Sequence, residues 1–400
     1  MKKKPNILHI ANDEKFVSAA KILFEKAFPG SNYFCIVKPP ADPPLKYVSR
    51  GSCIETVVLG KGAIDILNEK SLKADAVVLH GIDKVKGTIL DQAVDKGKFA
   101  GIIFGAELYN KSVAGDDYLG DLTRSEKERL DRLNPIDIIK SLYRFLAYRN
   151  SKKKVNNLSL QDFTRQLTFI GTHYPESLIK WKEKGVISDK VDTFHFSYYP
   201  MEHIVADEEL RASGTSILLG NSASFTNNHL EIMHFLKNIG VEKKRILAPL
   251  SYGNSRYAKR IEKKGRSLFG EHFTAVKEYL SLDEYNKLIA ECEIVVMNHK
   301  RSQGLGSTLA AIYMGARVFL NETEIYRYFS SIGCKVFKIQ DELKDQLKHG
   351  TPLKPDIINR NRELIRAHFS EEQLVSSIRS SFSLRYNFSV NEPQNPPPRI

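Results

Sequence analysis

The feature that most constrains this chain is an alternation of short, β-branched strands with amphipathic helical stretches, run through once in each half. PNILHIA (5–11) is an apolar run of strand length, FVSAAKILFEKAF (16–28) carries apolar residues at helical spacing, Pro29-Gly30 ends it, and NYFCIVK (32–38) reads as the next strand. TVVLG (56–60), AIDILNEK (63–70), DAVVLHG (75–81) and KFAGIIFGAELYN (98–110) continue the series; LTFIGT (167–172) and VDTFHFSYYP (191–200) resume it after a polar segment at 111–135 and a basic helix. Strands joined through helices run parallel, and a parallel sheet needs cover on both faces. The pattern restarts at SILLGNSAS (216–224) and passes through helix 227–240, strand 245–253, helix 255–264, strand 272–279 and helix 281–292 to the strands EIVVMNH (293–299) and ARVFLN (316–321). The expected fold is α/β, with two doubly wound, Rossmann-like sheets. The polar stretch 203–216 reads as the linker, giving an N-terminal domain over 1–205 and a C-terminal domain over 206–382 whose last helix is able to pack back on the first; the Pro-rich tail 383–400 reads as disordered.

A hydrophobic share of 42% over 400 residues is enough for two cores, so the charge balance carries the next constraint. Sixty Lys+Arg against 47 Asp+Glu give a net charge of +13, which points to an anionic partner. No zinc-finger spacing, RRM-like aromatic motif or helix-turn-helix accompanies the charge, so no nucleic acid is expected and a phosphorylated substrate or an anionic membrane leads. In DIIKSLYRFLAYRNSKKK (137–154) the apolar Ile138, Ile139, Leu142, Phe145 and Leu146 share one face against Lys140, Arg144, Arg149 and Lys152 to Lys154. Such a helix suits an anionic membrane face, although packing on its own sheet accounts for the apolar side equally well. With no apolar run of membrane-spanning length and no signal-peptide pattern at the start, a cytoplasmic location is expected. Cys35, Cys53, Cys292 and Cys334 are far apart, without CxxC or zinc spacing, and read as reduced core residues.

In a doubly wound sheet ligands bind outside the carboxyl ends of the strands, so the loops after strands hold the candidate site residues. In HKRSQGLGST (299–308) Gln303-Gly304-Leu305-Gly306-Ser307 leads from a strand into a helix, whose free N–H groups and dipole would face an anion such as a diphosphate. His299, Lys300 and Arg301 stand just before it. The turn is neither a Walker loop nor a GxGxxG, and the same glycines serve a purely structural turn. Gly220-Asn221-Ser222 ends another strand ahead of a helix starting near Asn227 and Asn228, where phosphate binding and plain helix capping both fit. Tyr252, in a third such loop, is placed to stack on a base or to pack. In the first half, Glu107 and His80 end strands and are the rival general bases for a hydroxyl nucleophile; a solvated loop carboxylate is the plainer reading of Glu107. No Asp-x-Asp metal ligand stands at a strand end, so a metal-independent reaction without a cofactor is expected.

These residues resemble, in order, the family 56 glycosyltransferases, the TDP-N-acetylfucosamine:lipid II N-acetylfucosaminyltransferase or 4-alpha-L-fucosyltransferase family. The resemblance runs through Phe104-Gly105-Ala106-Glu107-Leu108-Tyr109, Ile217-Leu218-Leu219-Gly220-Asn221-Ser222, the helix start Asn228-His229, Pro249 and Tyr252, the helix SLDEYNKLIAEC, Arg301, Gln303-Gly304-Leu305-Gly306 and Leu320-Asn321. Residues 111–200 match the family poorly, and Glu322, Thr323 and Glu324 do not reproduce its residues. The resemblance implies a GT-B architecture, two Rossmann-like domains facing each other across a cleft, with the nucleotide-sugar held mostly by the second and the acceptor by the first. It also implies a peripheral inner-membrane enzyme of cell-surface polysaccharide biosynthesis that moves 4-acetamido-4,6-dideoxygalactose from TDP to a polyprenyl-diphosphate-linked saccharide.

On this reading Glu107, with His80 second, activates or positions the acceptor; Gly220, Asn221, Ser222 and the turn Gln303 to Ser307, with Gly304 and Gly306, hold the diphosphate; Arg301 neutralises the departing TDP; and Tyr252 and Asn321 meet nucleotide or sugar. Two alternatives stand beside it: a non-catalytic nucleotide-sugar-binding protein, and a GT-B-type sugar-nucleotide epimerase.

Overall fold

The structure, a computed structural model, describes residues 4–40, 44–48, 51–103, 105, 107–109, 118–132, 159–241 and 243–388. The basic stretch 137–154 and residues 389–400 of the tail lie outside the described residues.

The described residues of 1–108, 157–200 and 369–400 form one compact unit, and those of 109–156 and 201–368 the other. The chain begins β1 (Ile7–Asn12), α1 (Phe16–Ala27), β2 (Asn32–Lys38), β3 (Ile54–Val58), α2 (Ala63–Lys73), β4 (Ala76–His80), α3 (Lys84–Gln92) and β5 (Phe99–Ile102). Next come α4 (Asp121–Arg132), α5 (Leu160–Arg165), β6 (Phe169–Thr172), α6 (Leu178–Glu183) and β7 (Asp192–His195). It then runs β8 (Ser216–Leu219), α7 (His229–Asn238), β9 (Ile246–Pro249), α8 (Ser255–Phe269), β10 (Phe273–Val276), α9 (Leu282–Ala290), β11 (Cys292–Met297), α10 (Leu305–Met314), β12 (Arg317–Leu320), α11 (Glu324–Ser331) and β13 (Phe337–Lys338). Three helices close it: α12 (Ile339–His349), α13 (Pro355–Phe369) and α14 (Glu371–Tyr386).

Both sheets are parallel throughout. The first has the order β3-β2-β1-β4-β5-β6-β7 and the second β10-β9-β8-β11-β12-β13. The central strands are buried on both faces, β4 and β8 over their whole lengths, which is why they read as continuous apolar runs. In each sheet the strand order reverses at one place, between β1 and β4 and between β8 and β11. Loops leaving those strands diverge there and open a crevice at the carboxyl edge.

The division differs from a single cut at 205/206 in two ways, while the return of the last helix to the first unit follows the expectation. Residues 118–132, expected as polar connection, include α4, which is fastened to α7 in the second unit: Gly120 N–H donates to Asn228 Oδ1 at 2.8 Å and Thr123 N–H to Glu231 Oε1 at 2.8 Å. The expected linker is bound into that same unit, where Ile204 and Val205 are buried, Ala206 N–H donates to Asn286 Oδ1 at 2.9 Å, and Arg362 donates to Glu208 O at 2.9 Å. Helix α14 returns to the first unit, placing Leu374, Ile378 and Phe382 among Phe24, Phe169, Phe194 and Phe196. It continues through residues 383–386, which were expected in the disordered tail. Cys35, Cys292 and Cys334 are buried free thiols and Cys53 is a half-buried one. Among the described residues no helix is long and apolar enough to cross a membrane.

Candidate active site

The crevice of the second sheet is built by the loops after β8 and β11. After β8, Gly220 takes a left-handed φ of +68° and its N–H closes on Val296 O at 2.9 Å, tying the loop to β11. After β11, Gly304 takes φ +76° at the N-cap of α10. Having no side chain, it leaves the first turn of that helix without a side-chain cap, so the amides there stay open and the positive end of the dipole is not quenched. The close fit explains the glycine further: a Cβ at 304 would sit 3.2 Å from His299 Cε1 and 3.3 Å from Asn221 Nδ2. Gly306 needs no unusual φ, and a Cβ there would meet only Ile204 Cγ2 at 4.0 Å, so it keeps the helix start open rather than making the turn. Ser307 Oγ pairs with Tyr285 OH at 2.8 Å.

Arg301 stands directly before this helix start, half-buried. Its Nε and Nη2 donate to Gln303 Oε1 at 3.2 and 3.0 Å, and its guanidinium lies 5.6 Å from the centre of the Tyr109 ring. No carboxylate pairs with it among the described residues. Burial pulls its pKa below the ordinary arginine value, against the smaller opposing effect of Tyr109 and Tyr118. A desolvated cation without a counter-charge, beside an uncapped helix N-terminus, is a site for an anion.

Several expected ligands turn out to hold the loops. Asn227 Oδ1 accepts from Asn221 N–H at 3.0 Å and from His299 Nε2 at 2.8 Å, while its Nδ2 donates to Ser222 Oγ at 3.0 Å. The backbone of Asn221 and the hydroxyl of Ser222 are therefore engaged in shaping the turn. Asn221 still offers its Oδ1, buried without a hydrogen bond, and its Nδ2 reaches the hydroxyl of the exposed Tyr252 at 3.2 Å. Asn321 is committed likewise: Nδ2 donates to Asn298 Oδ1 and His299 O at 3.0 and 2.9 Å, and Oδ1 accepts from Gln340. Asn298 in turn donates to Asn228 O at 3.0 Å, and Asn228, at φ +48°, donates to Tyr118 O at 3.0 Å. This amide ladder binds the loops after β8, β11 and β12 into one edge.

The first unit places His80 and Glu107 at its own crevice, in different settings. His80 is 2% exposed, and its Nε2 meets His9 Nδ1 at 3.0 Å while its Nδ1 meets Tyr198 OH at 3.0 Å. His9 Nε2 reaches Asn32 Oδ1 at 3.1 Å, and Asn32 Nδ2 donates to Phe28 O at 2.8 Å, so the far end of the chain is an acceptor. The tautomers follow: His9 donates to Asn32, His80 to His9, and Tyr198 to His80. Burial first, then the neighbouring His9 and Lys86, push His80 well below the ordinary histidine value. With both nitrogens occupied and no exposure, it serves as a core histidine. Glu107 is half-buried, following Gly105 at φ +89°, and its Oε1 accepts from Ile82 N–H at 3.1 Å. Of the two rivals it is the one with access to the edge.

Sequence reading missed three contributors. Lys86 is 1% exposed, bonded across the first switch point to Asn12 Oδ1 at 3.1 Å and paired with Asp83 at its own helix start; only the Asp83 N-cap pattern hinted at it. His229 opens α7 fully buried, with neither ring nitrogen hydrogen-bonded and its Nε2 close under Gly220. Tyr109 comes from the first half of the sequence but belongs to the second crevice.

Comparison with known proteins agrees with this fold. The family model for 4-alpha-L-fucosyltransferase glycosyl transferase group 56 matches residues 181–351, a span that holds both loops of the second crevice but not the 104–109 stretch. Among solved structures, sucrose-phosphate synthase from Thermosynechococcus elongatus superposes with a TM-score of 0.61 at 12% identity over 96% of this chain and 99% of its own. A glycosyltransferase from Rickettsia africae gives 0.60 at 12% identity over 97% and 100%. Anabaena HepE in complex with UDP gives 0.61 at 11% identity over 95% and 100%. The chain therefore has paired parallel sheets of the GT-B type, and residues 181–351 of it match the family model for glycosyl transferase group 56.

Proposed function

We propose that the enzyme transfers a deoxy-amino sugar, 4-acetamido-4,6-dideoxygalactose, from a TDP carrier to a polyprenyl-diphosphate-linked saccharide. The observation that carries the donor half is Arg301: a half-buried cation held by neutral groups at the uncapped start of α10. A diphosphate placed there gains the helix dipole, the open amides and the guanidinium, and the same groups stabilise the charge that builds as the glycosidic bond breaks. Metal-independent handling of the leaving group follows from that arrangement. HepE, one of the similar structures, is described with UDP and with UDP-glucose, which supports a nucleotide-sugar as donor. The acceptor half rests on the family resemblance and on Glu107 at the first unit's crevice, poised to position or deprotonate an acceptor hydroxyl. The basic stretch 137–154 would bring the enzyme to an anionic membrane face on the cytoplasmic side.

A thermal-shift series with TDP, UDP, GDP and ADP, with and without EDTA, tests the donor half. Stabilisation by TDP that survives EDTA and disappears in Arg301→Met is the expected result; equal stabilisation of the variant would remove Arg301 from the site. Release of TDP from the TDP-sugar that requires a polyprenyl-diphosphate-linked saccharide tests the acceptor, and conversion of the TDP-sugar without any acceptor would favour the epimerase reading.

A further inference from the structure

Arginines at half-buried positions ordinarily meet a carboxylate, and a carboxylate stands close to this one. Glu324 Oε2 accepts from Ser302 Oγ at 3.0 Å, one residue from Arg301, but it does not pair with the guanidinium. It is engaged instead by Tyr109, whose hydroxyl donates to Glu324 Oε2 at 2.6 Å and accepts from Ser302 N–H at 3.2 Å. Those two bonds fix the plane of the ring, and its face receives Arg301 at 5.6 Å. The guanidinium is thus held on one side by a π-face and on the other by the Gln303 amide oxygen, which also accepts from Thr226 Oγ1. Burial and the neighbouring Glu324 hold the Tyr109 hydroxyl above its ordinary value, so no tyrosinate forms to pair with the cation.

We propose that Tyr109 is a positioning residue for the donor: its ring orients Arg301 while its hydroxyl occupies Glu324, so the arginine is held in place with its charge left for the diphosphate. This rests on the reading of the α10 start as the diphosphate site. A carboxylate at 109 would hold Arg301 equally well and would compete with the ligand for its charge; the aromatic ring gives placement without competition. A bystander Tyr109 would be indifferent to that distinction.

The test measures the Kd of TDP and UDP by titration calorimetry for wild type, Tyr109→Phe, Tyr109→Leu and Tyr109→Glu, each also combined with Arg301→Met, with the melting temperature of every variant. Tyr109→Phe keeps the ring and is expected to bind TDP within about threefold of wild type. Tyr109→Leu is expected to weaken TDP about tenfold or more, and Tyr109→Glu further still, with both effects vanishing in the Arg301→Met background. Should Tyr109→Leu fail to fold, Phe against Glu decides. Wild-type affinity in Tyr109→Leu, equal affinity of the Phe and Glu variants, or the same loss with and without Arg301 would overturn the proposal. If wild type binds neither nucleotide, the diphosphate reading falls and takes this one with it. If wild type binds and the variants do not differ, only the role of Tyr109 falls.

Discussion

Lowering the pH from 7.5 to 5.5 should destabilise both units through the histidines they bury without charge. Burial holds His9, His229 and His299 at about 3 and His173 at about 4, against an unfolded value near 6.5. Below that unfolded value the unfolded chain takes up protons that the folded chain refuses. The stability these groups contribute is therefore complete above about pH 6.5 and is lost as pH falls toward about 3. Between pH 7.5 and 5.5 each histidine costs about 1.4 kcal/mol by that linkage. His229 and His299 then remove about 3 kcal/mol from the second unit, and His9 and His173 about as much from the first, with His80 acting in the same direction. Carboxylates held low by their partners, such as Asp83 beside Lys86, begin to contribute only below about pH 5 and do not confuse this window. The assay is urea unfolding at both pH values. The only tryptophan, Trp181, is buried in the first unit, so its fluorescence follows that unit while circular dichroism follows both. With a slope of about 2 kcal/mol/M, each midpoint should fall by roughly 1.5 M, and His229→Asn should remove about half of the second unit's response. Midpoints that agree within about 0.2 M at the two pH values would refute the reasoning.

Three further substitutions probe the site. Gly304→Ala places a Cβ 3.2 Å from His299 Cε1 at a left-handed φ, which costs about 1–2 kcal/mol; a drop in melting temperature of a few degrees, with loss of TDP stabilisation, is expected in a thermal shift. Gly120→Ala drives a Cβ to 2.6 Å from Glu231 Cγ and should release α4 from α7, seen as faster hydrogen exchange over 121–132; unchanged exchange would show the contact to be dispensable. His80→Gln breaks the chain between His9 and Tyr198 at a cost of about 1–3 kcal/mol. It should lower stability while leaving the pH profile of transfer in place, whereas a large loss of rate at unchanged melting temperature would restore His80 as a base.

The central strands were legible because they are buried on both faces and so need an unbroken apolar run, as in Ala76–His80 and Ser216–Leu219. The glycine turns were legible as well, since a helix start after a strand leaves its own pattern. What periodicity does not encode is which sheet a segment joins. The stretch 118–132 is amphipathic for whichever surface it meets, and only Gly120, Thr123 and their partners on α7 decide the matter. The same limit governs side chains at strand ends. His80 has the sequence context of a base, and only a partner 71 residues away on β1 shows that its nitrogens are taken. Asn321 looks like a sugar ligand until Asn298 and Gln340 are found on either side of it. The value of Arg301 lies in its having no carboxylate paired with it among the described residues, although Glu324 stands nearby, and a sequence does not display a missing pairing.

The return of α14 to the first unit bears on the order in which the chain matures on the ribosome. Leu374, Ile378 and Phe382 complete the aromatic cluster around Phe24 and Phe169, so a unit begun by residues 7–102 has its core closed by residues synthesised after the whole second unit. The second unit, whose described residues end by 368, has all its strands in hand before α14 is synthesised. Through most of translation the nascent first unit presents an unfinished apolar face. A premature stop before residue 371 would leave that face open permanently, and the second unit would be the part that survives such a truncation folded.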